Sequence, residues 1–91
     1  MRVMVRVPAP LRQLTSGQDK VYAEGDSLLR VIDYLEGQFP GMQDRLCDET
    51  GNLRNFVNIY VNGEDVRFLD GINTETKMGD EISVVPAVAG G

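Results

Sequence analysis

The chain has 91 residues, of which 42% are hydrophobic, and carries 14 acidic and 9 basic side chains for a net charge of −5. This length predicts one domain with a modest core. The acidic balance argues against a general nucleic-acid binder, which needs a basic surface to contact phosphates, and against binding to anionic membranes. Because no apolar run reaches the roughly 18 residues of a spanning helix and the alternating N-terminus is unlike a signal peptide, we expect a cytoplasmic protein.

Two residue types that commonly carry chemistry are scarce. The chain contains one cysteine, Cys47, and no histidine. One cysteine excludes an internal disulfide and a cysteine-ligated metal site, and the lack of histidine removes the commonest general base and metal ligand. Neither a dinucleotide-binding glycine pattern nor a Walker-type phosphate loop occurs. We therefore expect a protein that is not an enzyme, holds no metal or cofactor, and depends on a partner to bind ATP.

Alternating apolar and polar residues predict two short strands at the start of the chain. Val3, Val5 and Val7 share one face of the segment 2–7, and a proline follows directly. After a loop rich in turn residues, Lys20–Glu24 is predicted to form the second strand of a hairpin.

The next segment carries the signals of an amphipathic helix. Asp26 or Ser27 can accept hydrogen bonds from the free amides of the first turn. Pro40 and Gly41 end the helix, and residues 41–47 are compatible with a further helical turn. The predicted apolar stripe of the helix consists of Leu28, Val31, Ile32, Leu35 and Phe39.

Three further strands are predicted in the second half, over residues 56–61, 65–68 and 81–85. The dipeptide Asn62-Gly63 predicts a tight turn between the first two of them, because both residues tolerate positive φ. The element order predicts an α+β fold in which one main helix crosses one face of a mixed sheet of four to five strands. We expect the first and the last strand to be neighbours at its centre.

The end of the sequence is the feature with the clearest chemical meaning. A glycine carboxylate has no Cβ beside it, so Gly91 can enter a narrow tunnel and be attacked from either face, and Gly90 adds backbone freedom. The carboxylate would first need a leaving group, such as AMP supplied from ATP by another enzyme. Small residues at a terminus are also common without any function. We expect a flexible tail over 87–91, following a domain over 1–86, and its residues are Ala87, Val88, Ala89, Gly90 and Gly91.

Together these features resemble the ubiquitin-like, β-grasp sulfur carriers of the ThiS/MoaD family. The resemblance rests on Val3-Met4-Val5, on Gly-Asp-Ser-Leu at 25–28 and on Pro-Ala-Val-Ala-Gly-Gly at 86–91. The stretch Phe-Val-Asn-Ile-Tyr-Val-Asn at 56–62, with Glu-Asp-Val-Arg-Phe at 64–68, is similar to the subgroup that donates sulfur for cysteine synthesis.

The resemblance implies a carrier cycle with two partner enzymes. An ATP-dependent activating enzyme adenylates Gly91, and sulfur delivery then gives a C-terminal thiocarboxylate. A sulfur-acceptor enzyme uses that sulfur; in the cysteine subgroup this is a pyridoxal-phosphate-dependent sulfhydrylase. In other subgroups the sulfur enters molybdopterin or the thiazole of thiamin. Two other functions stay open: a ubiquitin-like modifier that joins Gly91 to lysines, and a β-grasp interaction domain whose tail is idle.

Two aromatic side chains are candidates for contact with a partner. If Val57, Ile59 and Val61 face the helix, then Phe56 and Tyr60 lie on the open face of the sheet and form a docking patch for the activating enzyme. The opposing interpretation is that the loop 41–55 folds back over Phe56. Further members of this face would be Met4, Arg6 and Val85.

The remaining reactive side chains have simpler interpretations. Cys47 follows an apolar stretch and has no histidine partner, which favours a buried small hydrophobe over a nucleophile. The acidic pairs Asp48-Glu49 and Glu64-Asp65 lack calcium-loop spacing, so we interpret them as solvated turn charges.

Overall fold

A computed structural model describes residues 2–86 and contains five strands and two α-helices. The strands are β1 (Arg2–Arg6), β2 (Lys20–Glu24), β3 (Val57–Val61), β4 (Glu64–Asp65) and β5 (Glu81–Pro86). The helices are α1 (Leu28–Gln38) and α2 (Met42–Leu46), and three short 3₁₀ helices cover Ala9–Leu11, Val66–Phe68 and Gly71–Asn73. Within the described residues no helix has the length and apolarity needed to cross a bilayer.

The strands form one mixed sheet in the order β2-β1-β5-β3-β4. β1 and β5 run parallel, with Met4 opposite Glu81, and the other neighbouring strands are antiparallel. The prediction that the first and last strands are central neighbours is therefore confirmed. β5 lies between β1 and β3, and its last residue, Pro86, pairs with Val57 of β3 beyond Ser83, the last residue of β5 that pairs with β1.

One face of the sheet packs against α1 to form the core. The valines of β1 and the alternating residues of β3 and β5 point to this face and are almost fully buried. The predicted stripe of α1 meets them: Leu28, Val31, Ile32 and Leu35 are buried, and Phe39 packs against the core in part. The further helical turn compatible with residues 41–47 is present as α2, whose Met42 and Leu46 close the same core.

The start of α1 is held by a side-chain cap and by a close backbone approach. Ser27 Oγ accepts a hydrogen bond from the Arg30 amide at 3.3 Å, as one of the two predicted caps. Gly25 packs so tightly against the helix that a Cβ placed there would lie 2.7 Å from the backbone nitrogen of Val31. Thr76 donates its hydroxyl to the Gly25 carbonyl at 2.8 Å, which fixes this corner from the other side.

The return strand predicted over residues 65–68 is wrong. β4 contains only Glu64 and Asp65, and the chain then turns into the 3₁₀ helix Val66–Phe68. The Asp65 carboxylate accepts a hydrogen bond from the Arg67 amide at 2.9 Å and caps this helix. A short acidic side chain can satisfy the backbone locally and so replaces the ladder bonds of a longer strand.

Candidate functional site

The predicted tail, residues 87–91, lies outside the described residues, and Pro86 is the last described position before it. In the register of β3 and β5, Pro86 lies opposite Val57 and Val85 lies opposite Asn58. The end of β5 therefore lies beside the start of β3.

Phe56 lies at the same end of the sheet, because it directly precedes Val57. It belongs to a turn closed by a hydrogen bond from the Val57 amide to the Arg54 carbonyl at 3.0 Å, so β3 begins one residue later than the sequence predicts. The side chain of Phe56 is 53% exposed. The loop 41–55 leaves this ring open to solvent, and the covering considered as the alternative does not occur.

Tyr60 lies farther along β3 and is partly exposed on the face opposite the helix, where it pairs with Ser83. At about 3.3 Å per strand residue, it is separated from Phe56 by about 13 Å along the chain. Val85 is 45% exposed and adds apolar surface on the neighbouring strand. Tyr60, Asn58 and Val85 thus share the open face of the sheet, and Phe56 is exposed at the end of β3 that lies beside Pro86.

Arg6, which we expected on this face, forms an ion pair with an acidic neighbour. Its Nε donates to Glu81 Oε2 at 2.6 Å, and this hydrogen bond raises the pKa of the Arg6 guanidinium above its ordinary value. Met4, the other expected member on β1, is half-buried. The β1 side of the open face therefore offers a paired charge and little free apolar area.

Arg67 is a residue that the sequence analysis missed. Its guanidinium donates to Asn58 Oδ1 and to the backbone carbonyls of Val57 at 2.8 Å, Asn55 at 3.0 Å and Arg54 at 3.3 Å. These acceptors belong to residues on both sides of Phe56 in the sequence. One side chain thereby fixes the turn that presents the ring.

The short length of β4 explains why Arg67 is needed. β4 pairs only with Tyr60 and Val61, so the first half of β3 extends past its neighbour. Backbone carbonyls at such an edge need hydrogen-bond donors. Arg67 supplies them from the 3₁₀ helix that follows β4, and the only local signal for it is its position two residues after the capping Asp65.

Cys47 is 3% exposed, as predicted, and takes no part in a surface site. Burial, followed by the charge of Asp48, raises the pKa of its thiol, which keeps it protonated and poorly nucleophilic. The Asp48 carboxylate accepts the Thr50 hydroxyl at 2.5 Å, and this bond lowers the pKa of Asp48 and stabilises the turn. Within residues 2–86 no cluster of acidic, cysteine or histidine side chains is arranged to hold a metal ion.

Comparisons with known proteins show the family to which the chain belongs. The profile of the ThiS family matches residues 5–91. The chain is 50% identical, over 93 residues and 100% of both chains, to "Sulfur carrier protein CysO" of Mycobacterium tuberculosis. It is 36% identical, again over 100% of both chains, to "Small archaeal modifier protein 3" of Haloferax volcanii. In the solved structure of the Amycolatopsis orientalis BexX/CysO complex, a chain 45% identical to this one superposes with a TM-score of 0.92, covering 98% of this chain and 99% of that one. The chain therefore belongs to the ThiS family and has its ubiquitin-like β-grasp fold, as the resemblance predicted.

Proposed function

We propose that this protein is a sulfur carrier and that Gly91 is the residue on which the sulfur travels. The observation that carries this proposal is the 50% identity to a named sulfur carrier across the full length of both chains, an alignment that includes the Gly-Gly at 90–91. In this proposal residues 1–86 form the folded domain and residues 87–91 form the tail that enters partner enzymes.

The chemistry follows from the reactivity of a carboxylate. A carboxylate oxygen of Gly91 attacks the α-phosphorus of ATP, and pyrophosphate leaves. The resulting acyl-adenylate has AMP as a good leaving group, so a sulfur nucleophile displaces it at the carbonyl carbon and leaves a thiocarboxylate. The ATP-dependent activating enzyme performs these steps. The carrier contributes the carboxylate and a tail of small residues. This role requires no catalytic side chain on the carrier itself.

The acceptor that we favour is an enzyme of cysteine synthesis. Its substrate would be a serine whose hydroxyl carries a leaving group; the thiocarboxylate sulfur would take the place of that group on the side-chain carbon, and hydrolysis of the bond between the Gly91 carbonyl and the new cysteine would then release the carrier. The support is the name of the similar carrier together with the stretch 56–68 that pointed to this subgroup. Molybdopterin and thiamin thiazole synthesis are the alternative destinations. We also propose that the protein works in the cytoplasm.

The described residues support a docking role for Phe56 and Tyr60. Phe56 is exposed at the end of the sheet where β5 finishes, and Arg67 holds its turn in place. An exposed aromatic ring on a fixed backbone loses little conformational freedom on binding, which is typical of residues that anchor an interface. We propose that this surface meets the activating enzyme while the residues after Pro86 reach its active site.

A protein modifier is the second candidate function. The observation that favours it is the 36% identity to an archaeal protein named as a small modifier, over the full length of both chains. In that case the activated Gly91 carbonyl would be attacked by a lysine amine of another protein, and an isopeptide bond would form in place of a thiocarboxylate.

Intact-mass measurement after incubation with an activating enzyme, ATP and a sulfur source tests the proposal. We expect replacement of one oxygen by sulfur in the unmodified chain, and no change after deletion of Gly91 or after addition of one residue beyond it. A matched control is deletion of Met1, which leaves the other end intact. Thiol-resistant conjugates to lysine would instead support the modifier, and sulfur transfer by the Gly91 deletion would refute the tail mechanism.

A further inference from the structure

The two edges of the sheet differ in whether other residues hydrogen-bond to their outward backbone groups. At the β4 edge, Arg67 occupies the backbone acceptors that β4 leaves uncovered. At the other edge, β2 is a regular five-residue strand, Lys20–Glu24, and among the described residues no hydrogen bond from another element reaches its outer side. Open edges of this kind are able to pair with another strand.

The pairing of β1 with β2 shows which backbone groups face outward. The Val7 amide donates to the Asp19 carbonyl at 2.8 Å, so these two residues form a bonded pair of the antiparallel ladder. Bonded pairs alternate along such a ladder. Residues 21 and 23 therefore bond to β1, and the amides and carbonyls of Lys20, Tyr22 and Glu24 point away from the sheet.

These three residues are complementary to themselves in antiparallel orientation. When two β2 strands pair about a two-fold axis at Tyr22, Lys20 lies opposite the partner's Glu24, and Glu24 lies opposite the partner's Lys20. Each of the three positions can then exchange both of its outward backbone bonds. Charges on an edge strand normally oppose pairing, but opposite charges at directly opposed positions favour it.

We propose that β2 is a self-association surface through which two copies of this chain pair into one continuous ten-stranded sheet. The side chains leave this edge accessible: Lys20 and Glu24 are exposed, and the Tyr22 ring, 54% exposed, lies over the open face with the Arg2 guanidinium 4.1 Å from its centre. The opposite charges at the two ends of β2 select this antiparallel register. The interface is small and each copy carries a net charge of −5, so the association is weak.

The pairing does not rest on the proposed sulfur-carrier function. β1 separates β2 from β5, so Pro86 and Phe56 lie away from the shared edge. Both copies keep that end of the sheet accessible, and the two proposals can fail independently of each other.

Charge-reversal variants test the register. In Lys20→Glu alone, glutamates face glutamates across the two-fold axis, and in Glu24→Lys alone, lysines face lysines. We expect each single variant to weaken dimerisation by about tenfold or more relative to the unmodified chain. A mixture of the two variants restores opposite charges at both positions, so we expect a heterodimer at least as strong as the original dimer. The double variant Lys20→Glu/Glu24→Lys should also dimerise as the unmodified chain does.

Sedimentation velocity over a range from about 20 µM to about 2 mM measures these equilibria in the concentration range of a weak interface. Lys77→Glu and Glu49→Lys are the matched controls, because both side chains are exposed away from β2 and change the net charge by the same amounts. Neither control should change the dimerisation constant strongly, and mixing the two control variants should not strengthen dimerisation. A chain that stays monomeric at the highest concentration, or single variants that dimerise normally, would overturn the proposal.

Discussion

At the scale of single residues, Arg67 is exposed and nevertheless stabilises the turn before β3. Four acceptors converge on one guanidinium, and three of them are backbone carbonyls, two in the turn before β3 and one on its first residue, Val57. Arginine suits this position because its planar group presents several donors in a fixed geometry, whereas a lysine amine is a single point charge. The conformation of Phe56 therefore depends on a residue eleven positions away in the sequence.

Replacing Arg67 by alanine should lower the free energy of unfolding by about 1–2 kcal/mol, because three backbone carbonyls, of which that of Val57 is part-buried, lose a charged donor. Arg67→Lys should recover only part of this loss. Urea unfolding followed by circular dichroism measures both values. The matched control is Arg30→Ala on the exposed side of α1, where no side-chain hydrogen bond is lost, and we expect a change within about 0.5 kcal/mol. Equal losses at the two arginines would contradict the clamping role.

At the scale of elements, the junction between β2 and α1 depends on the absence of one side chain. Gly25 allows the backbone to approach the first turn of α1, where a Cβ would lie 2.9 Å from the Arg30 carbonyl carbon. The backbone amide of Arg30 is bonded to Ser27, and the Gly25 carbonyl is held by Thr76, so neither side of this contact moves freely. The close approach sets how α1 lies across the sheet.

Gly25→Ala should therefore destabilise the fold by about 1–3 kcal/mol, as overpacking does in a well-filled core. Gly37 lies within α1, and Gly37→Ala should have the opposite effect on stability, since a Cβ at that position has open space around it. There we expect a gain of about 0.5–1 kcal/mol, because alanine restricts the unfolded chain and favours the helix. Thermal and urea unfolding of the two variants measure the sign of each change in the free energy of unfolding. An unchanged stability in Gly25→Ala would show that α1 can shift at no cost.

The same elements show what the sequence could predict and what it could not. The alternating valines of β1 and the stripe of α1 were predictable, because periodicity reports directly which side chains face a core. The end of β4 was not, because Val66 and Phe68 continue an alternating pattern while Asp65 diverts the backbone into a 3₁₀ helix. Arg67 was hidden for a related reason: its acceptors lie 9 to 13 residues away, and only the tertiary fold brings them together.

At the scale of the whole molecule, the proposed docking surface and the end of β5 lie on one side of the protein. Phe56 marks the end of the sheet where Pro86 lies, and Tyr60 lies on the open face toward the other end of β3. An enzyme that binds both features holds the carrier in one orientation. Exposed aromatics at such a place are expected to contribute strongly to the affinity.

The double variant Phe56→Asp/Tyr60→Asp should reduce the rate of adenylation at low carrier concentration by about tenfold or more, while the melting temperature changes little. Pyrophosphate release measures the rate. Leu29→Asp/Met78→Asp is the matched control, because it places the same charges on exposed apolar side chains that belong to neither proposed surface. Normal kinetics in the first variant, or an equal loss in the control, would remove Phe56 and Tyr60 from the docking surface.

The position of β5 between β1 and β3 has a mechanical consequence. Tension applied at Pro86 along the strand acts in shear on the ladders of both neighbours, so their hydrogen bonds share the load. A strand at a sheet edge, pulled in the same direction, would have a single ladder to resist the load. A partner that draws on the residues beyond Pro86 therefore works against two ladders of this sheet, not one.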